Sequence, residues 1–226
     1  MPLNAQYSVV SPKSLAAKIG GYQRRRMFAR FLSSPTLRPD DTIVDIGVTG
    51  DPSYKHSNHL AAWYPHKRKL TAVGIDDAPT FEKQYPGVAY RQADGRALPF
   101  ADGSFDFVHS NAVIEHVGSR EQQVKFLAEL WRVCRKGLFV TTPNRWFPVE
   151  FHTVMPLVHW LPRVAFRRTL QFIGHHELAQ EANLNLMSRT DLLDAATAAG
   201  ISAARVEGVR LAGWTSNLLL IAQKRG

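Results

Sequence analysis

Thr42-Ile43-Val44-Asp45-Ile46-Gly47-Val48-Thr49-Gly50 is an apolar run broken by one carboxylate and closed by glycine. Residues 42–46 have the length and β-branched content of a buried strand, and Gly47 marks its stop. In open α/β sheets, ligands bind outside the carboxyl ends of strands, where the strand order switches. An acidic residue beside a glycine turn at such an end is therefore a candidate ligand site.

Outward from this stretch, short apolar runs alternate with helical patterns, which predicts a mostly parallel sheet covered on both faces. Upstream, residues 12–33 read as one or two helices, started by Ser11-Pro12 and divided at Gly20-Gly21. Downstream, a helix is predicted over 57–64 with Ser57 as its cap, then a second strand over 70–75 ending at Asp76. A short helix over 79–84 and a third strand over 88–92 lead to Asp94-Gly95. The fourth strand covers 104–109. A strong amphipathic helix follows over 120–134, with Gly137 as its stop and a fifth strand over 138–141. After a Pro-rich, aromatic stretch, Ser188 caps a helix over 189–199 that Gly200 ends. Two last strands, around Val206 and over 217–222, are joined by a turn at Gly213, so they run antiparallel.

The chain has 226 residues, 45% of them hydrophobic, enough for one sizeable core, so residues 1–226 are expected to form a single domain. Residues 1–40 are its N-terminal helical segment and 143–187 an insertion after the fifth strand. The single cysteine, Cys134, excludes a disulfide framework within the chain and argues against a cysteine zinc site. It reads as a core thiol. Neither a signal peptide nor a run of eighteen apolar residues is seen, so a cytoplasmic protein is expected. The net charge of +9 favours anionic partners. Its clusters, at Arg24-Arg25-Arg26 and over 66–69 and 163–168, lack the aromatic interleaving of a nucleic-acid module, so nucleic acid is not an expected partner.

Five stretches carry a resemblance. They are Val44-Asp45-Ile46-Gly47, Val73-Gly74-Ile75-Asp76, Gln92-Ala93-Asp94-Gly95, Leu98-Pro99-Phe100-Ala101-Asp102-Gly103-Ser104-Phe105-Asp106 and Ile114-Glu115-His116-Val117. Together they resemble the class I S-adenosylmethionine-dependent methyltransferases, in particular the UbiE-like, or type 11, group. The resemblance implies a Rossmann-like three-layer sandwich. Its seven-stranded sheet has order 3-2-1-4-5-7-6 with strand 7 antiparallel, and a helical lid follows strand 5. It also implies that S-adenosylmethionine is bound by Asp45, Gly47, Thr49, Gly50, Asp76, Asp77, Asp94, Gly95 and Asn111. In that scheme Gly47 lets the backbone approach the methionine part, and Asp45 supports the loop or meets the ammonium group. Asp76 accepts from the ribose hydroxyls and Asp94 from the adenine amino group, with Gly95 and Ala93 lining the ring. Asn111 lines the methionine end. This chain departs from the group's Asp-x-Gly-x-Gly-x-Gly: Thr49 and Asp51 occupy the second and third glycine positions. A different loop path is expected. A non-catalytic binding protein on the same fold stays open as an alternative, as does an RNA methyltransferase.

Methyl transfer from a sulfonium is an in-line displacement, so no universal catalytic residue carries over. A general base is needed where the nucleophile must lose a proton. Candidates are His116, Glu150 and His152. His116 is expected to pack under the following helix. Glu150 and His152 follow the fifth strand, and on an extended segment their spacing would put both on one side. His175-His176-Glu177 has ligand residue types, but adjacent histidines point apart, and no metal site is expected. The insertion combines Trp146, Phe147, Phe151, Trp160, Phe166 and Phe172 with Arg163, Arg167 and Arg168. Such a lid suits a small-molecule, lipid-linked or glycan acceptor and peripheral contact with an anionic membrane.

Overall fold

The computed structural model describes residues 14–50 and 57–224. The sequence positions Ser11, Pro12 and Asp51 lie outside the described residues.

Seven strands form one sheet: β1 (Ile43–Ile46), β2 (Leu70–Gly74), β3 (Ala89–Gln92), β4 (Phe105–Asn111), β5 (Cys134–Pro143), β6 (Arg205–Leu211) and β7 (Trp214–Gln223). Their order is β3-β2-β1-β4-β5-β7-β6, the order expected from the sequence. Pairings from β3 through β5 are parallel, and β7 runs antiparallel to both β5 and β6. The order reverses between β1 and β4, so the crevice opens beyond Ile46 and Asn111.

Helices cover both faces. On one, α4 (Arg120–Val133) and α6 (Arg189–Ala198) bury Phe126, Leu130 and Leu192 against Val44, Val108 and Val140. On the other, α1 (Leu15–Leu32) and the short α2 (His59–Trp63) bury Met27, Phe31 and Leu60 against Ile43, Ala72 and Phe139. The sheet is thus apolar on both sides, as its runs of unbroken hydrophobicity require. A short α3 (Phe81–Gln84) leads into β3.

The structure corrects several boundaries. Helix α1 runs unbroken through Gly20-Gly21, because packing of Gly21, Met27 and Phe31 holds it to the sheet. Its side chains tie it to the far sheet edge: Arg30 makes a two-pronged pair with Glu207 (2.6 and 2.7 Å), and Gln23 donates to Ser216 Oγ (2.9 Å). Asn58, not Ser57, occupies the cap position of α2. Helix α4 ends at Val133, and β5 begins at once with Cys134. Gly137 is therefore not a helix stop. It sits inside β5 because the Phe107 ring covers it; a Cβ there would come within 2.5 Å of that ring. Burial pushes the Cys134 thiol up to about 11, which fits a core residue and not a nucleophile.

Residues 98–106, the most specific stretch of the sequence, are structural. Glu129 of α4 accepts from Leu98 N–H (2.9 Å), and Arg132 donates to the carbonyls of Leu98 and Phe100. Asp106 accepts from Thr42 N–H and Oγ1 (3.0 Å each) and from Arg135 (2.6 Å), at the sheet end opposite the crevice. Burial opposes its ionisation, but these donors outweigh it and hold the carboxyl below its usual range.

Between β5 and α6 the chain forms the insertion. Its helix α5 (Arg163–Phe172) buries Phe166 and Leu170 against Leu178, Leu184 and Leu186, a small core of its own. The insertion closes back on the sheet through a bridge between Asn144 and Met187.

Candidate active site

A cavity of about 1420 Å³ lies beyond the carboxyl ends of β1 and β4. Its walls come from the strand ends, the insertion and α1, which contributes Ile19, Gln23 and Arg24. At one end are Gly47, Thr49, Asp94, Gly95 and Asn111; at the other are Phe147, Phe151, Glu150, His152 and His116.

Gly47 makes the turn that opens this space. Its φ is +94°, a region L side chains rarely adopt, and a Cβ there would fall 2.1 Å from Val113 Cγ2. The N–H groups of Gly47 and Val48 both donate to Val73 O (2.8 and 3.1 Å). Asn58 then holds the loop: it accepts from Thr49 N–H (3.0 Å) and donates to Thr49 O (2.7 Å). A buried amide thus fixes Thr49, one of the two positions where the family pattern has glycine. No local sequence signal marks Asn58 for this role.

Asp45 is buried and does not line the cavity among the described residues. His109 Nδ1 lies 2.7 Å from its carboxylate, and the His109 ring stacks on Phe139. Gly50, Asp76 and Asp77 also stay off the wall, although their neighbours Thr49 and Ile75 line it. Gly50 packs against Ala78. Asp76 is half-buried and its carbonyl accepts from Tyr90 Oη (2.5 Å). Asp94 lines the cavity, but Arg96 from the same turn grips its carboxylate (2.7 Å) and lowers its pKa. Gly95 admits the Phe126 ring and Ile46; a Cβ would approach them to 2.6 and 2.9 Å. Asn111 closes β4, accepting from Thr141 Oγ1 (2.8 Å).

The other end of the cavity carries a chain of titratable groups. Residues 150–153 form a turn, not the extended segment the sequence suggested. Glu150 folds under it and accepts from His152 N–H (2.9 Å), from Thr153 N–H and from Thr153 Oγ1 (both 2.7 Å). Its Oε1 also accepts from His152 Nδ1–H (2.5 Å). His152 Nε2 then faces His116 Nε2 at 3.1 Å, and His116 Nδ1–H donates to Asn183 O (2.6 Å). So His116 is on the cavity wall, with one ring nitrogen turned to the lid and the other to His152. Beneath it Glu115 is 0% exposed, and its Oε2 accepts from Thr142 Oγ1 (2.8 Å).

These contacts set the charges. Burial opposes ionisation of Glu150, but the His152 charge and four hydrogen bonds donated to the carboxylate win, lowering it to about 2. Burial likewise opposes charging His152, and Glu150 outweighs it, so its pKa rises. His116 is lowered to about 3, first by burial and then by the facing His152. Burial raises Glu115 to about 7.

The lid supplies the partners that lock this end. Asn185 N–H donates to Glu115 O (2.7 Å), Asn185 Nδ2 to Gly118 O (3.0 Å), and Gln123 Nε2 to Asn185 O (2.9 Å). Sequence reading missed Asn183, Asn185 and Arg24. Arg24 was visible only as one of three adjacent arginines; the helix register turns it alone into the cavity wall, where burial lowers its pKa. It has no ion pair among the described residues.

A doubly wound sheet with this order and a large crevice at its switch point defines a class of ligand-binding α/β enzyme folds. Comparison with known proteins makes it specific. The methyltransferase domain of the type 11 family matches residues 55–141. An uncharacterised methyltransferase of Mycobacterium sp. (strain JLS) is 32% identical over 185 residues, covering 77% of this chain and 69% of the relative. A second, from Mycobacterium sp. (strain KMS), is 33% identical over 107 residues, which is 46% of this chain and 35% of that one. Among solved structures, a magnesium protoporphyrin IX methyltransferase from Synechocystis PCC 6803 shares the fold at 13% identity and a TM-score of 0.60, covering 93% of this chain and 86% of its own. A methyltransferase from Methanosarcina mazei does so at 20% identity and a TM-score of 0.53, with 83% and 94% covered. The chain belongs to the class I S-adenosylmethionine-dependent methyltransferases.

Proposed function

We propose that the protein transfers the cofactor's methyl group to an apolar acceptor that carries a hydroxyl. The observation behind this reading is one continuous cavity. It joins the Gly47 turn, where the family binds its cofactor, to the paired imidazoles of His116 and His152.

Residues at the first end, with Asp76 and Asp77 just beyond the lining residue Ile75, would hold the cofactor. Gly47 and Asn111 would flank its methionine part, Arg24 would meet its carboxylate, Asp76 and Asp77 its ribose, and Asp94-Gly95 its adenine. Of the two roles open to Asp45, support of the loop is favoured by its burial against His109. When bound, the cofactor supplies an electrophilic methyl carbon, which leaves alignment and proton removal to the chain. Phe147 and Phe151, stacked at 5.2 Å, offer an aromatic wall to an apolar acceptor. The imidazoles sit at the same end, in reach of a hydroxyl proton.

Asp76→Ala tests the ribose placement. Losing charge-assisted hydrogen bonds to the hydroxyls should weaken S-adenosylmethionine binding by about 2–4 kcal/mol, read by calorimetry. An unchanged affinity would refute the placement.

We also propose that the acceptor is reached from an anionic membrane surface. No helix among the described residues is long and apolar enough to cross a membrane. On α5, however, Phe172 is 91% and Val164 62% exposed, beside Arg163, Arg167 and Arg168. Apolar side chains flanked by arginines suit the headgroup boundary. The protein should float with anionic vesicles at low salt, and Phe172→Ser should reduce the bound fraction. Absence of any association would end this reading.

A further inference from the structure

We infer that Glu115, His116 and His152 form a binding site for a divalent first-row transition cation such as zinc, open to the acceptor end of the cavity. The tautomers fix where the ring lone pairs point. Asn183 O can only accept, so the proton of His116 at 2.6 Å is on Nδ1. Glu150 Oε1 takes the Nδ1 proton of His152 at 2.5 Å. Each neutral ring therefore directs an Nε2 lone pair at the other, and these atoms are 3.1 Å apart. Two lone pairs facing at that distance call for a cation between them: a proton on one ring, or a metal shared by both. Ligands about 2.0–2.1 Å from a tetrahedral zinc ion stand about 3.3 Å apart, close to the spacing of this pair.

The third ligand comes from beneath. Glu115 Oε1 is buried and has no hydrogen-bond partner among the described residues. It lies 4.0 Å from His116 Nε2, and the three ligand atoms all fall within 4.8 Å of one another. A modest shift of the carboxylate would complete a two-imidazole, one-carboxylate set. Burying a polar atom without a hydrogen bond is costly, and a metal would give this oxygen a partner.

The surroundings are those of a built metal site. Histidine ligands characteristically donate their second N–H to a carboxylate or a backbone carbonyl, which fixes tautomer and ring orientation. Here His152 has the first kind of partner and His116 the second. The ligand carboxylate is itself held, by Thr142 Oγ1 at 2.8 Å. His116 and His152 line the cavity while Glu115 does not, so the fourth position of the metal would face the cavity. A hydroxyl bound there would lose its proton more readily. That last role rests on the methyl transfer proposed above; occupancy of the site does not. This set is not legible in the sequence, because Glu115-His116 and His152 meet only through the turn at 150–153.

Cobalt titration of the full chain, without cofactor, tests the inference. One equivalent of Co2+ should bind, with the visible absorption of a low-coordinate nitrogen–oxygen site, and Zn2+ should displace it. Glu115→Gln, which keeps size and the reach to Thr142, should weaken Co2+ binding at least 10-fold. Glu150→Gln, acting through His152, should weaken it about 10–100-fold. Circular dichroism and S-adenosylmethionine binding on the same samples separate folding and the methyltransferase reading from the metal. A folded, cofactor-binding protein that takes up no Co2+ at micromolar concentration would overturn the inference, leaving a proton-bridged imidazole pair. So would binding that both substitutions leave unchanged.

Discussion

His152→Ala is expected to slow methyl transfer by about 10²–10⁴-fold with little effect on S-adenosylmethionine affinity. In the proposed transfer this imidazole takes a hydroxyl proton or holds the cation that promotes its loss; either way, the substitution removes it. The fold should tolerate the change. Glu150 would keep three of its donors: the backbone N–H of residue 152, Thr153 N–H and Thr153 Oγ1. These keep the buried carboxylate from becoming an uncompensated charge. The check is release of S-adenosylhomocysteine with a hydroxyl-bearing apolar acceptor, beside calorimetric affinity for the cofactor. A rate within a few-fold of the parent would remove His152 from the chemistry. A matching loss of cofactor affinity would make its role one of shape.

Gly47→Ala should act at both ends of the cavity. The left-handed backbone at φ +94° strains any side chain, by about 1–2 kcal/mol. The new Cβ also falls 2.1 Å from Val113 Cγ2, so Val113 must move, at a further cost of about 1–3 kcal/mol. Val113 leads directly into the turn Ile114–His116, so displacing it shifts the residue that faces His152. Denaturant unfolding should show the combined loss of stability, and cofactor affinity should fall with it. Adding Val113→Ala should recover the packing part and leave the backbone strain. Full stability in the single variant would mean that Gly47 does not hold the strained turn described here.

How much of this could be read from the sequence follows from the range of the interactions. The strand runs were legible, because each strand end carries its own signal; their order came from the family resemblance, and the sheet has it. The cap at Ser188 and the stop at Gly200, with φ +78°, were legible for the same reason; the reciprocal bond to Asp191 that completes the cap was not read. Gly137 misled because a glycine after an amphipathic helix looks like a stop, while its real cause, the Phe107 ring, is thirty positions away in sequence. Gly20-Gly21 misled because tertiary packing on the sheet overrides helix propensity. At the site, Gly47, Thr49, Asp94, Gly95 and Asn111 were found at strand ends and do line the cavity. The wall built by α1 was not legible, nor was the pairing of His116 with His152. Both depend on which faces meet after folding, and a turn at 150–153 replaced the extended segment on which the sequence argument relied.

Thr49 and Asp51 stand where the family pattern has glycine, and methyl transfer depends on the altered loop still admitting the cofactor. Asn58 holds that loop by its two hydrogen bonds to the Thr49 backbone. Calorimetric titration of the full chain with S-adenosylmethionine tests this directly. Saturable binding of one equivalent, weakened by Asp76→Ala, is the predicted result. No heat of binding at millimolar cofactor, from a protein shown to be folded, would contradict it.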